Sequence, residues 1–143
     1  RDFQQFHESL GEHTSQVVIE IQIIDIFSDL SAYHHAHDFL RERGYKVLVD
    51  GLSPIAINFF DPSILQADFL KISWGPEFVG EEKEDKIADM RRIVSRAGKH
   101  GVILSRVDSE DAVKWGATLG IARFQGYFID KLVAAVSAKS GAL

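Results

Sequence analysis

Cysteine is absent from this 143-residue chain, methionine occurs once and proline three times. Without thiols there is no disulfide, no thiolate zinc site and no cysteine nucleophile, and the absence suits a reducing cytoplasm. No apolar run approaches the roughly 20 residues of a membrane span, and the N-terminus lacks the basic-then-apolar pattern of a secretion signal. Positive charge is also short: 16 Lys and Arg stand against 21 Asp and Glu, a net charge of −5. Nucleic acid and anionic membrane surfaces both require a basic footprint, so neither is an expected partner, although a local pocket for a small anion remains open. The first residue is Arg1 rather than Met, which points to a piece of a longer protein. Hydrophobic residues make up 45% of the chain, enough for one domain with a real core.

Short β-branched or apolar runs alternate with amphipathic stretches. The pattern predicts strands over Gln16–Ile24, Lys46–Asp50, Phe69–Trp74, Gly101–Ser105 and Ala122–Phe124, the first four too apolar for a half-solvated sheet and so buried on both faces. Ser31 is the expected cap of a helix packing through Ala32, Ala36, Phe39 and Leu40, with Gly44 as its left-handed stop. Residues 82–99 form a second helix with a stripe of Ile87, Met90, Ile93, Val94 and Ala97. The acidic run Glu81–Asp85 suits its start, and Arg91, Arg92, Arg96 and Lys99 suit its end. Asp108 or Ser109 caps a third helix that Gly120 closes, and a last one covers residues 130–138 through Leu132, Val133, Ala135 and Val136. Residues 1–15 read as a leading helix or tail. Strand then helix, five times over, predicts a parallel sheet in a single domain covering residues 1–143, either open and doubly wound or part of a barrel.

Both of those architectures build their sites at the C-terminal edge of the sheet, where this chain places Glu20, Asp50, Lys71, Ser105 and Gln125. The segments around them resemble, in order, the motifs of the EAL family of cyclic-di-GMP phosphodiesterases. VIEIQ is similar to LEITE, LVDGLS to LDDFGTG, ADFLKIS to DYLKID, VILSRVDSEDAVKWGATLG to VVAEGVETEEQLALLRELG, and FQGYFID to AQGYLFSRP. The resemblance runs over nearly the whole chain and implies the last five βα units of a (β/α)8, TIM-barrel-like domain. The first three units, including the EAL segment itself, are not in this sequence.

By that resemblance, Glu20 falls on a metal-binding Glu, Asp50 on the second Asp of the DDFGTG pair, Lys71 on the Lys beside the attacking water, and Gln125 on the Gln of AQGY. Three positions depart: Val49 replaces the first Asp of the pair, Ser105 the Glu of AEG, and Ile23 the second Glu of LEITE. The loop from Gly51 reads GLSP where the family has FGTG. Two divalent ions carry four positive charges, and Glu20 and Asp50, the remaining candidate metal ligands, compensate half of them at best. No metal is therefore expected, and Mg or Mn enters only if the chain is an active phosphodiesterase.

The resemblance thus implies a catalytically inactive regulatory or protein-interaction module in cyclic-di-GMP-related signalling. The alternatives are an active phosphodiesterase and an unrelated receiver-like module, which Asp50 suits but which would need an acidic cluster after its first strand. For cyclic-di-GMP, Lys71 and Arg106 are the evident phosphate contacts. Arg106 stands where the family has Gly, and it either meets a phosphate or blocks the pocket, a balance that favours weak or absent binding. An incomplete barrel exposes an edge and apolar surface, so a protein partner or self-association is expected.

Outside the resemblance, the residues have blander readings. Glu20 between Ile19 and Ile21 suits a buried acid paired with Lys71, Asp50 before a glycine suits any βα turn, and Gln125 suits backbone bracing at the rim. His34, His35 and His37 read as a solvated helix face, because His34, His37 and Asp38 lack a further ligand at metal spacing. Trp74 and Trp115 read as core or interface.

Overall fold

The computed structural model describes residues 2–53, 61–75, 84–98 and 100–141. Five strands, β1 (Val18–Gln22), β2 (Lys46–Leu52), β3 (Phe69–Ser73), β4 (Val102–Ser105) and β5 (Arg123–Phe124), pair in parallel in the order β1-β2-β3-β4-β5. Each strand lies beside its predecessor and the order never reverses. A receiver-like doubly wound sheet runs 2-1-3-4-5 and must reverse, so that alternative is excluded. The architecture is α/β, a five-strand part of a TIM-barrel-like sheet.

The helices are α1 (Asp2–Leu10), α2 (Ile23–Ser28), α3 (Leu30–Glu42), α4 (Glu84–Ala97), α5 (Glu110–Thr118) and α6 (Tyr127–Gly141), with 3-10 turns at Gly11–Gln16 and Pro62–Leu65. Among the described residues no helix is long and apolar enough to cross a membrane. The core lies between the helices and the outer face of the sheet. Val47, Val49, Leu70, Ile72, Val102 and Leu104 meet Ile26, Tyr33 and Leu40 from one side and Met90, Ile93 and Val94 from the other. The leading segment is helical, and Phe3 and His7 of α1 pack on Tyr45, with His7 Nδ1 2.8 Å from the Tyr45 hydroxyl. Trp74 and Trp115 pack on each other at 5.2 Å between ring centres. Residues 81–83, Lys99 and the side chain of Ile87 lie outside the described residues.

Several expectations change. β1 stops at Gln22, and Ile23 and Ile24 open α2. β1 is also not buried on both faces: Val18, Glu20 and Gln22 are exposed, and among the described residues no strand pairs with its free edge. Helix α3 is capped by Asp29, whose carboxylate accepts from the Ala32 N–H at 2.9 Å, rather than by Ser31. Its buried face is Tyr33, His37 and Leu40, spaced i, i+4, i+7, so Ala32, Ala36 and Phe39 point outward. His37 therefore leaves the solvated face expected for it. It is 2% exposed, and its ring nitrogens lie 3.0 Å from Asp38 Oδ1 and 2.9 Å from the Gln66 carbonyl. His34 and His35 do face solvent. Ser109 caps α5, and Gly44 and Gly120 end their helices at φ 88°. Helix α6 begins at Tyr127, three residues before the expected start, and its Leu132, Val133 and Val136 are exposed rather than packed.

Tyr33 links α3 to the turn before β3 by donating its hydroxyl to the Leu65 carbonyl at 2.8 Å. Burial first, and then the Asp68 charge, raise its pKa from 10.0 to about 12. The folded value exceeds the unfolded one, so this contribution to stability is intact below pH 10 and is lost as pH rises toward about 12. Urea unfolding between pH 8 and 12 should show that alkaline loss, and Tyr33→Phe should remove its Tyr33 component at a cost of about 1 kcal/mol near neutrality.

Candidate functional site

The pleat of each strand sends alternate side chains to opposite faces. On β2, Val47 and Val49 join the helix-covered core, while Leu48 and Asp50 turn to the concave face. On β3, Lys71 and Ser73 turn the same way, and their register partners on β4 are Ile103 and Ser105. The C-terminal ends of the strands therefore open into a cleft of about 710 Å³, lined by Gln22, Asp50, Lys71, Ser105, Arg106, Asp108 and Gln125 together with Gly126 and Tyr127 at the start of α6. That volume is in the range of ligand sites. A smaller cavity of about 150 Å³ lies at the N-terminal side, between the Pro62–Leu65 turn and α4. Its charges are already paired, Arg96 Nη1 meeting Asp61 Oδ2 at 2.8 Å.

Acid and base meet at the floor of the cleft. Lys71 Nζ donates to Glu20 Oε1 at 3.2 Å, with the lysine side chain 17% exposed and the glutamate 45%. Glu20 is thus paired as expected but is not the buried acid that its isoleucine neighbours suggested, because it stands on the edge strand. Asp50 accepts from the Gly51 N–H at 2.7 Å and from the Gln22 amide at 3.3 Å. Burial pushes its carboxyl up, but its hydrogen bond with Glu20, those from Gly51 and Gln22, and the Lys71 charge outweigh that and hold it below its ordinary value of 3.8.

Ser105 is 8% exposed, and its hydroxyl donates to the Ile72 carbonyl at 3.2 Å, so it braces β3 against β4. Val49 is fully buried in the core and does not reach the cleft. Ile23 is buried at the start of α2, against Gly51. Beyond Ser53, the loop that begins at Gly51 lies outside the described residues. Gln125 is exposed, and its backbone ties the rim together: its N–H donates to Leu104 at 2.8 Å and its carbonyl accepts from Val107 at 3.0 Å. Gly126 permits this approach, since a Cβ there would overlap the Val107 backbone.

Arg106 sits at φ 58°, a left-handed conformation that strains a non-glycine residue by roughly 1 kcal/mol. It lines the cleft without filling it and has no hydrogen-bond or ionic partner among the described residues. Sequence reasoning passed over Asp108 and Gln22 as site residues. Asp108 is one of two candidate caps in the sequence, yet Ser109 caps α5 and leaves Asp108 on the cleft wall. The rule that Ser caps as well as Asp could have released it. Gln22 carried no signal, since its role follows from lying beside Asp50 in the β1–β2 register.

No protein-family model matches the chain, and no curated protein matches it in sequence. Solved structures do match in fold. The YkuI protein of Bacillus subtilis, which has an EAL domain and was solved with its substrate c-di-GMP and calcium, superposes with a TM-score of 0.70 at 20% identity over 90% of this chain. The LapD S helix-GGDEF-EAL structure of Vibrio cholerae, without ligand, gives 0.63 at 18% over 89%. The fold is EAL-like. BlrP1 of Klebsiella pneumoniae, solved with manganese and c-di-GMP, gives 0.65 at 22% over 87%. The chain spans about a third of each of these proteins, 31%, 33% and 32% for YkuI, BlrP1 and LapD respectively. An EAL-like fold accounts for the shared edge where Glu20, Asp50, Lys71, Ser105 and Gln125 assemble.

Two measurements test this geometry. Val49→Asp should bury an unpaired carboxylate in the core and destabilise the fold by about 3 kcal/mol, read by urea unfolding; an unchanged midpoint would place residue 49 in the cleft instead. Asp50 has a folded pKa below the unfolded one, so its stabilisation is present above pH 3.8 and is lost as pH falls further. Acid unfolding of Asp50→Asn should therefore be less steep below pH 3.8 than that of the parent.

Proposed function

We propose that this chain is a non-hydrolysing EAL-like domain that works as a regulatory or protein-interaction module in cyclic-di-GMP-related signalling. The observation that carries this reading is the donor set of the cleft. Glu20 is engaged by Lys71, Asp50 by Gly51 and Gln22, Ser105 by a backbone carbonyl, and Val49 lies in the core. Asp108 adds one carboxylate on the wall, but Lys71 and Arg106 bring two cations to the same space. Such a set does not fit two divalent ions, whose four charges require several unpaired oxygen ligands in one shell. The surface supports the interaction part of the reading. Helix α6 exposes Leu132, Val133 and Val136, each more than half exposed, and β1 carries no partner strand on its outer edge among the described residues.

Likeness to proteins solved with c-di-GMP is what brings that nucleotide into the reading. Its test is an assay for the linear dinucleotide with millimolar Mn or Mg. The expected result is no product above buffer, together with no manganese heat in calorimetry. Metal-dependent turnover would replace this reading with that of an active phosphodiesterase.

A further inference from the structure

We propose that the cavity of about 150 Å³ between the Pro62–Leu65 turn and α4 is a binding site for a small neutral ring compound carrying one hydroxyl or N–H donor. It lies against Leu70, on the helix-covered side of β3, and its occupancy does not depend on what the cleft does. Pro62, Ala67, Leu70, Ile93 and Ala97 form its apolar wall. Leu70 and Ile93 are 5% and 6% exposed, while Ala67 beside the turn and Ala97 at the end of α4 are too short to fill the space. An apolar space of this volume holds one benzene-sized ring.

The turn that walls the cavity is held from behind. Tyr33 donates its hydroxyl to the Leu65 carbonyl at 2.8 Å, and a ring nitrogen of His37 lies 2.9 Å from the Gln66 carbonyl. Gln66 keeps a left-handed φ of 51°, with its N–H donating to the Ser63 carbonyl at 3.2 Å. Across the space, Ile93 is packed into the core with Met90 and Val94. Walls fixed in this way do not relax inward to close the space between them.

The rim sets the polarity of the ligand. Asp61 and Arg96 are the charged residues that line the cavity, and Arg96 Nη1 donates to Asp61 Oδ2 at 2.8 Å, so no net charge is left to attract an ion. The other oxygen, Asp61 Oδ1, accepts from the Ser63 N–H at 2.9 Å. Hydrogen bonds from the Ser63 backbone and hydroxyl, and then the Arg96 and Arg92 charges, hold the Asp61 carboxyl below its ordinary value of 3.8. It is therefore an acceptor at neutral pH, and its two oxygens keep lone pairs for a ring hydroxyl or N–H. A carboxylate in the cavity would face the Asp61 charge, and an ammonium would face that of Arg96.

The experiment is a titration of the chain with phenol followed by amide NMR, repeated with toluene and with benzoate. Phenol should shift the amides of Ser63, Gln66, Ala67 and Ala97 along one saturable curve, with a Kd of about 1 mM, and leave those of Arg106 and Gln125 in the cleft unmoved. Toluene, which lacks the donor, and benzoate, which carries a charge, should each bind roughly threefold more weakly or worse. Ala97→Leu should fill the space and abolish the phenol shifts, with a melting temperature at or above that of the parent. The three titrations of the parent protein stand whether or not that variant folds. Shifts that never saturate, benzoate that binds as tightly as phenol, or a folded Ala97→Leu variant that still binds phenol overturns the proposal.

Discussion

Alternation along β2 is the constraint on which the rest of the molecule depends. Leu48 and Asp50 face the concave side while Val47 and Val49 face the helices, and a slip of one residue would exchange the two sets. The parallel register with β1 and β3 locks that phase, pairing Glu20 with Leu48, Gln22 with Asp50 and Leu48 with Phe69. Once it is locked, the outer face must be covered by helices, which fixes the βα rhythm. The polar residues left over collect at one edge, because each strand ends there.

That edge is electrostatically closed on one side and open on the other. Glu20, Lys71, Asp50, Gln22 and the Gly51 amide satisfy one another around β1, β2 and β3. Asp50 stays ionised in spite of burial because these contacts together exceed its desolvation. An ion pair as exposed as Glu20–Lys71 contributes little to stability, about 0–1 kcal/mol. Its consequence is chemical: it occupies the oxygen and the cation that a metal or a phosphate would otherwise use. Across the cleft, where β4 meets β5, backbone hydrogen bonds join Gln125 to Leu104 and to Val107.

Beneath the sheet, α3 is anchored by side chains whose polar ends are all satisfied. Tyr33 and His37 each reach a backbone carbonyl of the turn before β3, Leu65 and Gln66 respectively, and Asp68 accepts the Val47 N–H at 2.8 Å. This network ties β2 to the entry of β3 from the side opposite the cleft. The buried His37 finds polar partners there as well, with one ring nitrogen 2.9 Å from the Gln66 carbonyl and the other 3.0 Å from Asp38 Oδ1.

The sequence by itself determined the alternation of strands and helices and their order, though not the end of β1 or the short helix α2. Apolar runs at KVLVD, FLKIS and GVILS, the glycine stops at Gly44 and Gly120, and the cap before α5 are local signals, and local physics suffices for them. It also determined which polar residues end the strands, since that is a matter of position along the chain. Tertiary structure alone decided where those side chains go. Val49 and Asp50 are neighbours in sequence, yet the pleat and the register send one to the core and the other to the cleft. The rotation of α3 that buries Tyr33 and His37 depends on what the sheet offers beneath it, and the exposure of β1 and of α6 depends on strands that do or do not stand beside them. Long-range pairing sets all three, and periodicity within one segment carries no record of it.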